Sequence, residues 1–394
     1  MNKARFSGMQ ATLMLVLLGI FISTSHAEET ITIGLNISLS GSQAYNGASC
    51  KAGAELLRSE INAAGGVKVG DISYKLNYAY ADNESSPHKS VTEALRLITQ
   101  NKVLAIVGPT SSAHAIPAGG ICDSFKTPMI SPTSTNPKTT IDRPYVFRAC
   151  FLDSFQGEVM ASFAVKEFKA EKAAVLYNIA SAYPKGLAEY FKNNFEAQKG
   201  EGSVVAYEDF LSSEKDLSLQ LDKIVSSDAD VLFLPQYANE VPDIVKQARE
   251  KGWDKIILGG DAWESTELME KCGDLCKGLY FSSHFAAIGA TGKTKVFVDH
   301  YEVKNKEIAT GYAALTYDSV NLIITAISKL DSLGDNLLET RAAIKNNLAK
   351  LKGYEGVSGT LDMNAAGDPS KSAVVIKIND QGEFEAYKTE HPKG

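Results

Sequence analysis

From residue 30 onward short apolar segments alternate with longer amphipathic ones, and that order leaves few architectures open. Residues 31–36 read as a strand. Residues 47–63 read as a helix, because Ala48, Ala52, Leu56 and Ile61 fall close to one face, and Gly65-Gly66 stops it. A strand at 74–80, a helix at 87–99 opening on a proline, and a continuous apolar run at 103–107 follow. A helix at 113–125 and a short strand at 128–130 complete this run. The pattern then restarts, with helices expected at 155–168, 185–198, 216–225 and 239–251. Strands are expected between and after them at 173–177, 204–210, 231–234, 256–258 and 279–282. Helices at 312–330 and 337–351 and strand-like segments at 359–362 and 373–378 close the chain. Strand–helix alternation of this kind builds parallel sheets with helices on both faces. Two successive runs predict an α/β protein of two doubly wound lobes, and the late return to helix suggests that the chain crosses between them more than once.

The first residues carry an address. Lys3 and Arg5 precede an apolar run at 11–22, and Ser25-His26-Ala27 places small residues where a signal peptidase reads. A membrane anchor is the competing reading, but the run is shorter than the roughly 20 residues a spanning helix needs. No cysteine lies at or before Ala27, which disfavours a lipid anchor. Removing residues 1–27 lowers Lys+Arg from 40 to 38 against 47 Asp+Glu, so the mature chain carries a net charge of −9. An acidic chain without basic clusters argues against nucleic acid and against anionic membrane surfaces as partners. The five cysteines enter an oxidising compartment. Cys272 and Cys276 are the favoured pair, with two free thiols as the alternative. Four well-spaced cysteine and histidine ligands are absent, so no metal site is expected.

In an open parallel sheet, ligands bind beyond the carboxyl ends of the strands. Residues 103–107 lead into Gly108-Pro109-Thr110-Ser111-Ser112, where hydroxyls at a helix start suit an anion, although serine there is more often an ordinary cap. Residues 128–130 lead into Ser131-Pro132-Thr133-Ser134-Thr135, which contains no acid and suits an oxyanion, or else a solvated turn. Tyr183 and Tyr237 follow two later strands, where a ring with a polar tip lines a pocket or closes a core edge. Asp261, between Gly259-Gly260 and Trp263, can meet a ligand cation or cap a helix. Together the four loops supply oxyanion donors on one side and an acid with aromatics on the other, the set a zwitterionic α-amino acid needs.

Catalysis is not expected. His114 near Ser111 and Ser112 lacks the spacing of a nucleophile elbow. The phosphate-loop-like segment at 289–294 has Ala287 where its first glycine belongs, and no strand feeds into it.

The set of motifs IGLNISLSG at 33–41, EINAAGG at 60–66, IVGPTSS at 106–112, PMISPTSTNP at 128–137 and GLYFSSHF at 278–285 resembles the leucine/isoleucine/valine-binding proteins, the type I periplasmic binding proteins of ATP-binding-cassette transporters. Phe147-Arg148, Gly186-Leu187-Ala188, Asp261 and Tyr317-Asp318 extend the resemblance over essentially the whole mature chain. It implies two lobes joined by a three-strand hinge, closing on ligand without turnover, cofactor or metal. The implied lobes are residues 28–148 with 284–355 and residues 149–283 with 356–394. Ser112, the Thr133 backbone and the Thr135 hydroxyl resemble the family's carboxylate clamp. Tyr183 and Tyr237 resemble its cleft aromatics, and Asp261 the acid that meets the ammonium. The expected partners are a small molecule, an amino acid of the branched-chain class or similar, and an inner-membrane permease, for a monomer in the periplasm. Pro184 stands in place of a frequent glycine, and Tyr45 sits one position from the first-loop tyrosine, so the resemblance does not imply leucine as the ligand. The same fold also serves receptors for amides, urea or aromatic carboxylates, and sensory modules.

Overall fold

A computed structural model of the protein describes residues 29–392, so the expected export signal at 1–27 lies outside the described residues. The first sheet is built from β1 (Thr30–Ile37), β2 (Val67–Val69), β3 (Ile72–Asp82), β4 (Ile106–Val107), β5 (Met129–Ser131) and β6 (Val146–Arg148), in the order β2-β3-β1-β4-β5-β6. Helices α1 (Ala44–Ala63), α2 (Pro87–Thr99) and α3 (Ser112–Ser124) connect its strands. All pairings are parallel except β2 with β3.

The second sheet begins after α4 (Asp153–Glu167). It comprises β7 (Ala173–Asn178), β8 (Val204–Phe210), β9 (Val231–Leu234), β10 (Ile256–Gly259) and β11 (Tyr280–Ser283), with α5 (Ala182–Lys199), α6 (Ser218–Ser226), α7 (Val241–Glu250) and α8 (Thr266–Cys272) between them. The chain then returns through α9 (Gly292–Asn305), α10 (Gly311–Ile327) and α11 (Leu337–Leu348). A small sheet of β12 (Tyr354–Gly356), β13 (Gly359–Met363) and β14 (Pro369–Ser370) follows. Finally β15 (Ala373–Ile378) and β16 (Phe384–Glu390) add antiparallel to β11, giving β16-β15-β11-β10-β9-β7-β8. The two-lobe α/β architecture is therefore as expected, with antiparallel edges that the strand–helix alternation did not announce.

Each lobe buries its sheet on both faces. Successive residues of a strand face opposite sides, and in the second lobe both sides are apolar. Val175, Tyr177 and Phe233 pack with Phe191 on one face, while Leu176, Leu232 and Leu234 pack with Trp263 and Phe281 on the other. In the first lobe Ile31, Ile33 and Leu35 meet Leu322 and Ile323 of α10, a helix buried on nearly every side. Each such side chain taken from water contributes about 1.5–3 kcal/mol, so both lobes hold their shape through cores of their own.

Leu361 and Met363 are buried in the first lobe's cluster, so β12–β14 pack there and the third crossover follows Ser370 rather than residue 355. Of the apolar run 103–107, only Ile106 and Val107 pair as a strand. The Leu104 N–H reaches the Thr32 carbonyl, and the Arg341 guanidinium takes the Val103 carbonyl at 2.6 and 3.0 Å. Helix α9, absent from the periodicity reading, carries a charged face. The phosphate-loop-like residues Gly292-Lys293-Thr294 are simply its first turn. Cys272 and Cys276 form a disulfide, and Cys50, Cys122 and Cys150 are buried thiols.

Three crossovers join the lobes, and each is fastened by polar or aromatic contacts. Phe151 on the first stacks on His284 of the second, with ring centroids 3.7 Å apart. Arg148, fully buried at the end of β6, pairs with Asp368 of the third at 2.6 Å. Its other nitrogens hold the Ser134 carbonyl at 2.5 Å, the Asn136 carbonyl at 3.0 Å and the Thr140 hydroxyl at 2.8 Å. Lys371, also buried, donates to the Ser358 carbonyl, and Asp318 accepts from the N–H groups of Val357 and Ser358. Removing one partner of a buried ion pair strands the other, at about 3–5 kcal/mol. Arg148→Ala is therefore expected to lower unfolding free energy by that amount in urea denaturation, and a loss under about 1 kcal/mol would remove the pair's structural role.

Candidate functional site

Sheet geometry places the carboxyl ends of β4, β5, β7, β9 and β10 on the facing sides of the two lobes, and the loops that leave them meet there. The lobes touch across this seam. The Asn136 amide donates to the Ala182 carbonyl at 3.0 Å, and the Tyr45 hydroxyl to Glu270 at 2.7 Å. Glu264 of the second lobe accepts from the N–H of Gly311, at the start of α10, at 2.7 Å, and also from the Ser283 hydroxyl.

A buried polar atom without a partner costs about 1–3 kcal/mol, so a cluster of them requires an explanation. Among the described residues, buried side-chain polar atoms lacking a partner occur in ten residues. Seven of these, Ser111, His114, Thr135, Asp153, Gln156, Tyr237 and His284, gather at the seam. Three of the six residues singled out by sequence have their hydroxyls engaged within the protein, which for Thr133 leaves the expected backbone contact open. The Ser112 hydroxyl accepts from Ser134 Oγ at 3.0 Å and from the Asn136 N–H at 3.4 Å, whereas its neighbour Ser111 has the unpartnered Oγ. Thr133 spends its hydroxyl on the Thr110 carbonyl at 3.1 Å. The Tyr183 hydroxyl accepts from the Ala262 N–H at 3.4 Å. Thr135 and Tyr237, by contrast, are buried with hydroxyls free of partners.

The tyrosine rings of Tyr183 and Tyr237 lie 5.3 Å apart and form one aromatic wall. The backbone of Gly260 passes so close to Tyr183 that a Cβ there would stand 2.4 Å from its hydroxyl, which explains glycine before Asp261. Asp261 is held on both oxygens, by Gln156 Nε2 at 2.8 Å and by His284 Nε2 at 3.1 Å. Gln156 also donates to the Ser282 hydroxyl at 2.7 Å. A carboxylate has about four lone-pair directions, so Asp261 keeps acceptor capacity for a further donor.

A second acid, Asp153, was not foreseen. It opens α4, its N–H donates to the Thr135 carbonyl at 2.9 Å, and both its carboxyl oxygens are buried without a partner. Burial raises its pKa to about 8, with the Thr135 hydroxyl opposing and the Asp261 charge assisting. Burial likewise raises Glu264 to about 8, while it lowers His284 against the pull of Asp261. Tyr312, at the start of α10, is pushed well up by burial and then by Asp261. The seam is thus rich in acids, and the buried cations Arg148 and Lys371 are committed, to Asp368 and to Ser358. Such a site has room for a positive group. Opposite it, α3 begins at Ser112, where a helix N-terminus favours a negative one. Among the described residues no group of three or more Cys, His, Asp or Glu is arranged to hold a metal.

Asp153 and Gln156 escaped the sequence reading because it followed strand ends, while Arg148 and His284 entered it only as motif residues without a role in the site. Asp153 and Gln156 sit in the first turn of a helix, where an acid is ordinary. The pairing of an acid and an amide three residues apart, directly after the first crossover, is the signal that was available.

Comparison with known proteins gives this geometry its context. Residues 30–383 match the family model described as periplasmic binding protein. The Leu/Ile/Val-binding protein homolog 3 of Brucella melitensis is 30% identical over 366 residues, covering 92% of this chain and 95% of that one. The branched-chain amino acid transporter substrate binding protein LivJ of Streptococcus pneumoniae, solved with isoleucine, superposes with a TM-score of 0.83 at 34% identity, covering 92% of this chain and 100% of that one. A leucine binding protein, LivK, from Thermotoga maritima gives 0.84 at 29% identity, over 92% and 99% of the two chains. The two-lobed fold, the seam of unsatisfied polar groups and these matches agree: the chain belongs to the periplasmic binding protein family.

Proposed function

We propose that the protein binds an α-amino acid, of the branched-chain class or similar, between its lobes and delivers it to the membrane permease of an ATP-binding-cassette importer. It does so as a monomer in the periplasm, after cleavage of residues 1–27. The observation that carries this reading is the gathering of unpartnered buried polar groups at the seam: the Ser111 and Thr135 hydroxyls and His114 on the first lobe, and Asp153, Gln156 and Tyr237 on the second. Resemblance to relatives named for leucine, isoleucine and valine supports the ligand class.

In this reading the carboxylate docks on the Ser111, Ser112, Thr133 and Thr135 loops at the N-terminus of α3. The second lobe swings in, and Asp261 neutralises the ammonium, with Tyr183 and Tyr237 enclosing the ligand. Domain closure about short connections is the motion such a hinge permits. Binding needs no bond to be made or broken, and the residues act by position and charge.

The two acids take different parts. Asp261, held by Gln156 and His284, is set up as the ion that pairs with the ammonium. Asp153, whose burial outweighs the Thr135 hydroxyl and raises its pKa to about 8, keeps its proton at neutral pH. Asp261→Ala then strands the ligand's charge, at about 3–5 kcal/mol. At about 1.4 kcal/mol per decade, affinity should fall by roughly two to three and a half decades in calorimetry. Unchanged affinity would refute the ammonium assignment.

For Asp153 the sign follows from its raised value. Below the unfolded carboxyl pKa of about 4 both states are protonated and the buried acid costs nothing extra. Between that value and about 8 the native state retains a proton that the unfolded chain has released, so stability declines as pH rises. Asp153→Asn keeps the shape and abolishes the titration. Its advantage over wild type in the ligand-free protein should widen by roughly 1–3 kcal/mol between pH 5 and pH 8 in urea melts. A pH-independent difference would show that Asp153 is already ionised.

A further inference from the structure

Beside the amino-acid clamp lies a cavity of about 290 Å³ that bridges the lobes. Ser111 and Tyr237 belong to both the clamp and the cavity wall, so the two spaces adjoin. A ligand held by its carboxylate and ammonium at the clamp has its side chain as the part left to enter this space.

The wall is polar. From the first lobe it takes Gln43, Ser85 and His114, and from the second Asn178, Ser181 and Glu240. Pro87, Ala113 and Ala180 are its aliphatic contributions. Three of its polar atoms, Ser111 Oγ, His114 Nδ1 and Tyr237 Oη, are buried without a hydrogen-bond partner. His114 is neutral at pH 7, because burial lowers its pKa to about 4 against the Ser85 backbone.

The ionisable group that remains, Glu240, is already engaged. One oxygen accepts from the Ser212 hydroxyl at 2.8 Å, and the other from the Gln236 amide, in the orientation that satisfies both its ends, at 3.0 Å. The wall therefore offers no cation to an acidic side chain, and its one acid already spends both oxygens on neutral donors. It does offer several neutral groups that a hydrocarbon would cover and leave unpaired.

We propose that the side-chain subsite selects uncharged, hydrogen-bonding amino acids over hydrocarbon ones of the same shape: threonine over valine, and asparagine over leucine. The inference rests on the amino-acid reading above and goes beyond it in naming the side-chain chemistry. Its logic is that of sites built to hydrogen-bond. They reject an analogue lacking the polar group strongly, whereas an apolar pocket discriminates only weakly against an added hydroxyl.

The test is isothermal calorimetry of the mature protein with the two isosteric pairs, threonine with valine and asparagine with leucine. In whichever pair binds, the polar member is expected to be at least about tenfold tighter, a difference of about 1.4 kcal/mol. Tyr237→Phe removes one oxygen and Ser111→Ala another, and each should narrow that ratio while melting like wild type. Equal or tighter binding of valine or leucine overturns the proposal and leaves an amino-acid receptor with an apolar preference. A ratio unchanged in both variants also overturns it, since these hydroxyls would then not read the side chain. Failure of every α-amino acid to bind would instead overturn the amino-acid reading itself, and this inference with it.

Discussion

The arrangement turns on one electrostatic constraint: carboxyl groups are buried in the seam between the lobes without a mobile cation to match them. Asp153, Asp261 and Glu264 all lie there, and the buried Arg148 is spent on Asp368. Burying an unpaired charge is so costly that a group neutralises itself instead. Asp153 and Glu264 do so by holding protons, whereas Asp261 has Gln156 and His284 as hydrogen-bond partners on its two oxygens. The lobes' apolar cores are complete without this seam. Its polar groups therefore contribute little to folding, and a ligand that supplies the missing partners stabilises the closed pair specifically.

The same residues couple the ligand to the hinge. His284 lies on the second crossover, stacks on Phe151 of the first and touches Asp261. Arg148 ends the last strand before the first crossover. It fixes the carbonyls of Ser134 and Asn136, which bracket Thr135, and reaches Asp368 on the third. A change at Asp261 or at Thr135 is thus felt at a crossover through a single intervening side chain. Glu264 adds a direct link, from the loop of the acid to the first turn of α10. In the proposed mechanism these contacts are what turns occupancy into lobe position.

Much of this was legible in the sequence because it depends on strand order. Apolar runs such as 173–177 and 231–234 announce buried strands, and in a parallel sheet the loops after them must gather at one edge. That reasoning places Thr135, Tyr237 and Asp261 in loops past strand ends without coordinates. It fails where neighbouring residues compete for a role, since Ser111 and Ser112 are indistinguishable by type and only packing decides which hydroxyl is spent on Ser134. It also fails where an ordinary local role hides a long-range one, as with Asp153 and Gln156 in the first turn of α4. The antiparallel edge of β15 and β16 and the placement of Leu361 and Met363 in the first lobe depend on contacts between residues far apart in sequence. No local pattern encodes them.

The division between what the fold fixes and what it leaves free follows the same line. Asp261 sits just past β10 and Thr135 just past β5, positions that any chain of this topology must present to the seam. The cavity wall beside them draws instead on the first loop at Gln43, on Ser85 before α2, and on Asn178 and Ser181 between β7 and α5. Loops change at small cost to the cores beneath them. Recognition of the α-amino acid part can therefore stay constant while the side-chain subsite is rewritten. In this chain that wall includes hydroxyls, amides and a neutral imidazole beside Glu240 and the aliphatic Pro87, Ala113 and Ala180.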